Sequence, residues 1–365
     1  MTTALLAGGG TAGHVNPLLA LADHWRSVEP SVDVLVLGTA EGLEARLVPD
    51  RGYELITIPR VPFPRRPNRA ALLFPGRFRE AVQRTRAIIR DRGVDVVVGF
   101  GGYASAPAYV AARQEGIPFV AHEANARPGI ANRLAVALGG RAAITFAATR
   151  LRGARLTGMP LRPEITSLDR AAVRDDAVRE FGLDSSRPVV LVTGGSTGAQ
   201  RINETMTASA ARLLGTGWQV LHITGTGRGG DDPGLAGYHT MTYCDRMHLA
   251  FAVADLVVCR AGSATVSELA ALGLPSVLVP YAAGNGEQRL NARDLVSAGG
   301  AVLVADADFT PEWVARSLVS LLGRRAEIAR MAAAAQLVGR RDGDAALLAL
   351  VREALGEAKP ASSPA

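Results

Sequence analysis

Lysine is all but missing from this chain: Lys359 is the only one, so the positive charge is carried almost entirely by arginine. Cysteine is nearly as scarce. Cys244 and Cys259 form neither a C-x-x-C pair nor a histidine-flanked cluster, which argues against a disulfide framework or a structural zinc site. No apolar stretch approaches the ~20 residues needed to span a bilayer, and no basic segment precedes the first apolar run. A cytoplasmic chain without a membrane-spanning helix is therefore expected. No recognisable nucleic-acid-binding module is present, and no nucleic-acid partner is expected.

What is there suffices to bury a large core. The chain has 365 residues, 48% of them hydrophobic, and single cores stop growing near ~250–300 residues, so two domains are expected. Charge is uneven. Residues 1–160 hold 20 arginines against 12 acids, whereas the remainder is close to neutral. Much of the excess lies in residues 60–92, where ten arginines face two acids and Phe63, Leu72, Leu73, Phe74 and Phe78 are interleaved. That pattern fits either a solvated helix after a proline-rich loop or a surface resting on anionic lipid.

Apolar runs of strand length recur throughout, at "TALLA", "VDVLVL", "YELITI", "VDVVVG", "IPFVAH", "PVVLVT", "WQVLHIT", "ADLVVC", "PSVLVP" and "AVLVA". Their continuous hydrophobicity suits strands covered on both faces, so a parallel α/β architecture is expected. "LLAGGGTAGH" and "LVTGGSTGAQ" are each a buried strand, a glycine turn and a helix start, about one domain apart. The expected fold is two Rossmann-like parallel-sheet domains facing across a cleft, residues 1–159 and 160–341. An alanine-rich helix over 342–356 is able to pack back on the first, and a disordered tail is expected over 357–365.

Ligands of such folds bind beyond the carboxyl ends of the strands, where glycines admit close approach and helix N-termini attract anions. Five loops qualify: 8–14, 99–105, 122–129, 194–200 and 260–268. Two formal motif matches arise there. Gly8, Gly10 and Gly13 spell the dinucleotide fingerprint, but the second strand ends in Gly38-Thr39 without the acid a ribose diol requires. Gly194, Ser196 and Gly198 spell G-x-S-x-G, yet no acid and histidine follow in an order that completes a triad. Ser196 then serves as a hydroxyl at a helix start, touching phosphate.

His14 stands at a helix N-terminus, where the dipole disfavours the imidazolium and leaves a neutral ring suited to general-base chemistry; a structural histidine is the bland alternative. In "RAGSATVSELAALGLP", residues 260–275, Ser263 to Thr265 start a helix and Glu268 lies about a turn inside it. Backbone N–H groups there can hold a diphosphate while the carboxylate accepts from a ribose diol. Residues 285–295 add amides and acids suited to sugar hydroxyls.

In combination, "GGTAGH" at 9–14, "GGYASAP" at 101–107, "HEANARPG" at 122–129, "GMPLR" at 158–162, "GGSTGAQ" at 194–200 and "CRAGSATVSELAALGLP" at 259–275 resemble the GT-B glycosyltransferases. Within them the chain is similar to the peptidoglycan branch that adds N-acetylglucosamine to lipid I, and the likeness runs from the first strand to about residue 340. The resemblance implies an inverting transfer from UDP-N-acetylglucosamine to the 4-hydroxyl of the muramyl sugar on undecaprenyl diphosphate, yielding lipid II for cell-wall synthesis. It implies a peripheral protein on the cytoplasmic face of the membrane, an anionic membrane surface as partner, and contacts with other cell-wall synthesis proteins. No cofactor and no bound metal are expected.

Residue by residue, the resemblance implies donor contacts at Thr11, Ala12, Gly13, Asn125, Arg162, Ser196, Cys244, Ser263, Ala264, Thr265, Val266, Ser267, Glu268 and Gln288, with Glu268 on the ribose. It implies acceptor contacts at Gly10, Gly101, Gly102 and Tyr103, and names His14 as base with Glu123 as the fallback. Arg162 or Arg260 would help stabilise the leaving diphosphate. Ala124 replaces the usual glutamine of the "HEQN" pattern, and Glu287 the first of a glutamine pair. Other readings are a UDP-sugar epimerase of the same fold, a dinucleotide oxidoreductase, and a nucleotide-binding adaptor without turnover.

Overall fold

The computed structural model describes residues 1–358 apart from 65–68, 196–197, 228–230 and 283–285. The chain divides into two compact units, Met1–Arg162 with Arg341–Ala365, and Pro163–Arg340. The first unit thus runs three residues past the expected boundary, and the "GMPL" segment stays with it because Gly343 packs against the Met159 carbonyl with no room for a Cβ.

The first unit is built on a seven-stranded parallel sheet. Its strands are β1 (Thr3–Ala7), β2 (Asp33–Gly38), β3 (Glu54–Thr57), β4 (Val96–Gly99), β5 (Phe119–Glu123), β6 (Arg141–Ile144) and β7 (Arg155–Leu156), in the order β3-β2-β1-β4-β5-β6-β7. The second is a six-stranded parallel sheet of β8 (Val189–Thr193), β9 (Gln219–Ile223), β10 (Tyr238–Met241), β11 (Leu256–Cys259), β12 (Ser276–Leu278) and β13 (Ala301–Leu303), in the order β10-β9-β8-β11-β12-β13. Both follow the doubly wound plan, in which the order reverses beside the first strand and opens a crevice at the carboxyl ends there. The reversal falls between β1 and β4 in one unit and between β8 and β11 in the other.

Each of the ten apolar runs contains a strand. Period-two alternation explains why these runs are apolar throughout: Ala4, Leu6, Val34, Val36, Val96 and Val98 enter one core, and Leu5, Ala7, Leu35, Leu37 and Val97 enter the core on the opposite face. The first of these cores is shared by the helix Ala12–Val28, through Val15, Leu18, Leu21 and Trp25, and by the last helix Gly343–Ala358, through Leu347, Leu348, Leu350 and Val351. Ion pairs Arg352–Glu29 at 3.2 Å and Arg155–Glu353 at 2.6 Å border that helix. It extends to Ala358, so residues 357 and 358 are helical where a tail was expected; the rest of that tail, from 359, lies outside the described residues.

The arginine-rich stretch forms the helix Arg69–Asp91. Its Phe74 and Phe78 turn inward and stack, with centroids 5.5 Å apart; Phe63 of the preceding segment lies tilted against Phe74 at 5.2 Å, and all three pack against the core beside Val61 and Val82. Leu72, 82% exposed, and Leu73 project outward instead. Among the described residues no helix is long and apolar enough to cross a membrane.

Candidate functional site

In the first unit, two glycine loops meet at the β1–β4 reversal. The loop after β1 is tied to β2 by the Gly8 N–H on the Leu37 carbonyl at 3.1 Å, and the helix Ala12–Val28 follows it. The loop after β4 is held by Ser105, whose buried hydroxyl accepts from the Gly101 N–H at 2.9 Å and lies 2.8 Å from the Ala7 carbonyl. Gly102, at φ +77, places its Cα against the other loop, where a Cβ would fall 2.4 Å from the Gly9 carbonyl oxygen. Only glycine allows that approach.

His14 lies at this contact, half-buried. Its Nδ1 is 3.1 Å from the Gly9 carbonyl oxygen and 3.2 Å from the Thr11 hydroxyl. A carbonyl can only accept, so the neutral ring carries its proton on Nδ1 and leaves Nε2 as an acceptor. Gly101 keeps that side of the ring open, since a Cβ there would approach Nε2 to 3.0 Å. Thr11, Gly10, Gly101, Gly102 and Tyr103 are thus gathered about His14. The Tyr103 ring lies under the Arg60 guanidinium at 4.6 Å, and Arg60 donates to its hydroxyl at 3.2 Å. The helix start leaves the N–H groups of Ala12 and Gly13 without intrahelical acceptors, as first-turn donors are.

The Gly10 N–H is donated to the carboxylate of Glu44 at 2.7 Å. Glu44 was not legible as a site residue: it follows β2 by six positions, and its proximity to the loop comes from the turn at 39–43.

At the end of β5, Glu123 is 3% exposed and accepts from Asn125 N at 2.9 Å, Gly129 N at 2.9 Å and Asn132 Nδ2 at 2.8 Å. Tyr109 donates to Asn132 Oδ1 at 2.9 Å, so a buried chain of polar groups shapes the 123–132 loop. Neighbouring His122 is fully buried, packed on Phe100 at 5.5 Å between centroids, and its Nε2 lies 3.1 Å from the Gly158 carbonyl oxygen. Burial, with His14 nearby and despite that hydrogen bond, lowers its pKa to about 4 and keeps the ring neutral.

In the second unit, the loops after β8 and β9 are in backbone contact: at Gly225, φ +84, a Cβ would fall 2.2 Å from Gly198 N. Ser196 lies outside the described residues. Across the reversal, Gly262 leads in extended conformation into the helix Ser263–Ala271. The first intrahelical bond runs from Val266 N to Gly262 O at 2.9 Å, which leaves the N–H groups of Ser263, Ala264 and Thr265 as an anion-ready turn. Val266 is buried, and its N–H is committed to that bond. Ser267 and Glu268 are half-exposed on the same helix.

Arg260 is engaged elsewhere. Its Nη1 pairs with Asp306 and donates to the Val279 carbonyl at 3.1 Å, which ties together the loops after β12 and β13. Gln288 Oε1 accepts from Tyr281 N at 2.9 Å and closes the loop after β12. Asn291, buried, donates to the Ala261 carbonyl at 3.4 Å. Cys244 is a buried thiol beyond the edge strand β10, two strands from β8 and the reversal. Asn125 and Arg162, half-buried, belong to the first unit with Thr11 to Gly13; the 263–268 turn and Gln288 belong to the second.

Comparison with known proteins supplies the chemistry. Residues 4–144 match the glycosyltransferase family 28 N-terminal domain and residues 189–347 the family 28 C-terminal domain. A protein of Leifsonia xyli subsp. xyli is 60% identical over 98% of this chain and 100% of its own length, and one of Clavibacter michiganensis subsp. michiganensis is 58% identical over 100% and 99%. Both are named "UDP-N-acetylglucosamine--N-acetylmuramyl-(pentapeptide) pyrophosphoryl-undecaprenol N-acetylglucosamine transferase". Among solved structures, Acinetobacter baumannii MurG superposes with a TM-score of 0.78 at 26% identity, covering 97% of this chain and 100% of that one.

Proposed function

The chain belongs to glycosyltransferase family 28, and from that premise we propose that it transfers N-acetylglucosamine from UDP-N-acetylglucosamine to N-acetylmuramyl-(pentapeptide) pyrophosphoryl-undecaprenol, lipid I, with inversion at the anomeric carbon. The observation that carries the catalytic part is the His14 ring, its Nδ1 on the Gly9 carbonyl and its Nε2 open beside the second glycine loop.

His14 Nε2 takes the proton of the muramyl 4-hydroxyl as that oxygen attacks the anomeric carbon. The bond from that carbon to the diphosphate oxygen breaks, and UDP leaves with the electron pair. The Ser263–Thr265 turn stabilises the charge gathering on the diphosphate, and Glu268 accepts from the ribose hydroxyls. Thr11 to Gly13, Asn125, Arg162 and Gln288 complete the donor contacts, and Gly101 to Tyr103 face the acceptor. Glu123 shapes the 123–132 loop, its carboxylate accepting from three donors. The protein works peripherally at an anionic membrane, resting on the surface around Leu72 and Leu73.

The decisive experiment is UDP release from UDP-N-acetylglucosamine with and without a lipid I analogue. Analogue-dependent release with a disaccharide product is expected. Donor binding without such release would overturn the transferase reading.

A further inference from the structure

Glu44 is the most enclosed acid of the described residues bordering the first glycine loop, 1% exposed, and the mechanism above does not use it. Its Oε2 accepts from Gly10 N at 2.7 Å, and its Oε1 from Thr39 N at 3.0 Å and the Thr39 hydroxyl at 2.8 Å. The surrounding backbone has no room for side chains: a Cβ at Gly9 would fall 2.2 Å from Oε1, and one at Gly42 2.0 Å from Oε2. Burial pushes this carboxyl's pKa up, but the hydrogen bonds from Gly10, its own backbone, and Thr39 outweigh it and hold the pKa below the usual value. The group is an anion whose partners are all donors.

We propose that Glu44 is a positioning residue for the transfer: by clamping the Gly9–Gly10 backbone it aims the Gly9 carbonyl at His14 Nδ1, and so fixes both the tautomer and the orientation that leave Nε2 as the base. The chain of contacts is short. Glu44 holds Gly10 N; the peptide plane that carries this N–H also carries the Gly9 carbonyl; and that carbonyl is the acceptor 3.1 Å from Nδ1. Freeing the plane frees the acceptor that selects the tautomer. Only an acceptor-only group serves here, because Gly10 and Thr39 both present donors.

This inference rests on His14 being the base, and its test separates the two. Glu44→Gln is isosteric but must turn an NH2 toward either Gly10 N–H or Thr39 N–H, so one hydrogen bond is replaced by a donor–donor clash. Nitrogen-15 spectra of the His14 ring report the tautomer without any turnover. The wild type is expected to show protonated Nδ1 and bare Nε2, and Glu44→Gln a mixture of the two tautomers. In UDP-release assays Glu44→Gln should lower kcat by about 10²-fold, the usual cost of a small misplacement, with the KM for UDP-N-acetylglucosamine unchanged. Thr39→Val removes one donor and keeps the carboxylate; it should shift both readouts in the same direction to a smaller extent, and it carries the test if Glu44→Gln does not fold. Unaltered His14 nitrogen shifts in a folded variant would overturn the positioning role. A wild-type protein without analogue-dependent UDP release would overturn the transferase reading and leave the tautomer arm to judge Glu44.

Discussion

At the scale of single residues, the site turns on which atoms are left uncommitted. His14 spends Nδ1 on a carbonyl and keeps Nε2, whereas Glu123 spends its oxygens on three donors. His14→Ala should therefore lower turnover by roughly 10²–10⁴-fold, the range for losing a general base, with donor binding retained. Steady-state UDP release checks this, and near-wild-type turnover would remove His14 from the role. Two other histidines govern acid stability. Burial lowers the pKa of both His122 and His222 to about 4 from 6.5. Each stays neutral in the fold while the unfolded chain takes up a proton, so the unfolded state binds more protons in this window and stability falls as pH drops from 6.5 towards 4, by roughly 3 kcal/mol per group at most. His222 sits between the Tyr238 hydroxyl at 2.8 Å and Asn203 Oδ1 at 3.1 Å. A His222→Gln variant, which cannot titrate, should show a shallower decline of Tm on acidification across that window.

At the scale of elements, the strands that escaped the hydrophobic pattern are β6, β7 and β10, and the reason is local. β6 opens on an arginine and holds two alanines, β7 is two exposed residues at the sheet edge, and β10 is an edge strand with a histidine and a threonine. Their pairing comes from neighbours already in place, a tertiary context that overrides weak propensity. The helix Arg69–Asp91 makes the converse point. An even mixture of arginine and apolar residues left open which side chains face outward, and packing sent Phe74 and Phe78 inward and left Leu72 and Leu73 at the surface. Replacing both leucines by aspartate should weaken binding to anionic phospholipid vesicles by about tenfold or more, since inserting a leucine is worth ~1.5–3 kcal/mol. Vesicle co-sedimentation reads this directly, and unchanged binding would place the membrane contact elsewhere.

At the scale of the whole molecule, the chain leaves its first unit at Arg162 and returns to it at Arg341. The returning helix places Leu347, Leu348, Leu350 and Val351 in the core with Trp25 and Leu21. At ~1.5–3 kcal/mol per buried side chain, its removal costs on the order of the whole net stability of a domain, ~5–15 kcal/mol. A chain ending at Arg341 should therefore lose protection of the first unit in limited proteolysis while Pro163–Arg340 remains resistant, and equal resistance of both would refute this division of labour.

The doubly wound architecture was determined by the sequence itself, and so was the place of the glycine loops at the carboxyl ends of its strands. Strands buried on both faces read as near-continuous apolar runs, and glycine turns followed by helix starts mark the carboxyl ends where such folds bind anions. The place of His14 among glycines at a helix N-terminus was legible as well. Only the tertiary structure decided what each polar group is free to do. That Glu44 takes the Gly10 N–H, that Arg260 is held by Asp306, and that Glu123 accepts from Asn125, Gly129 and Asn132 are partnerships across 2 to 46 residues of chain. Hydrogen bonds act only over about 3 Å and within a narrow range of angles, so a pattern along the chain can nominate such groups but not pair them.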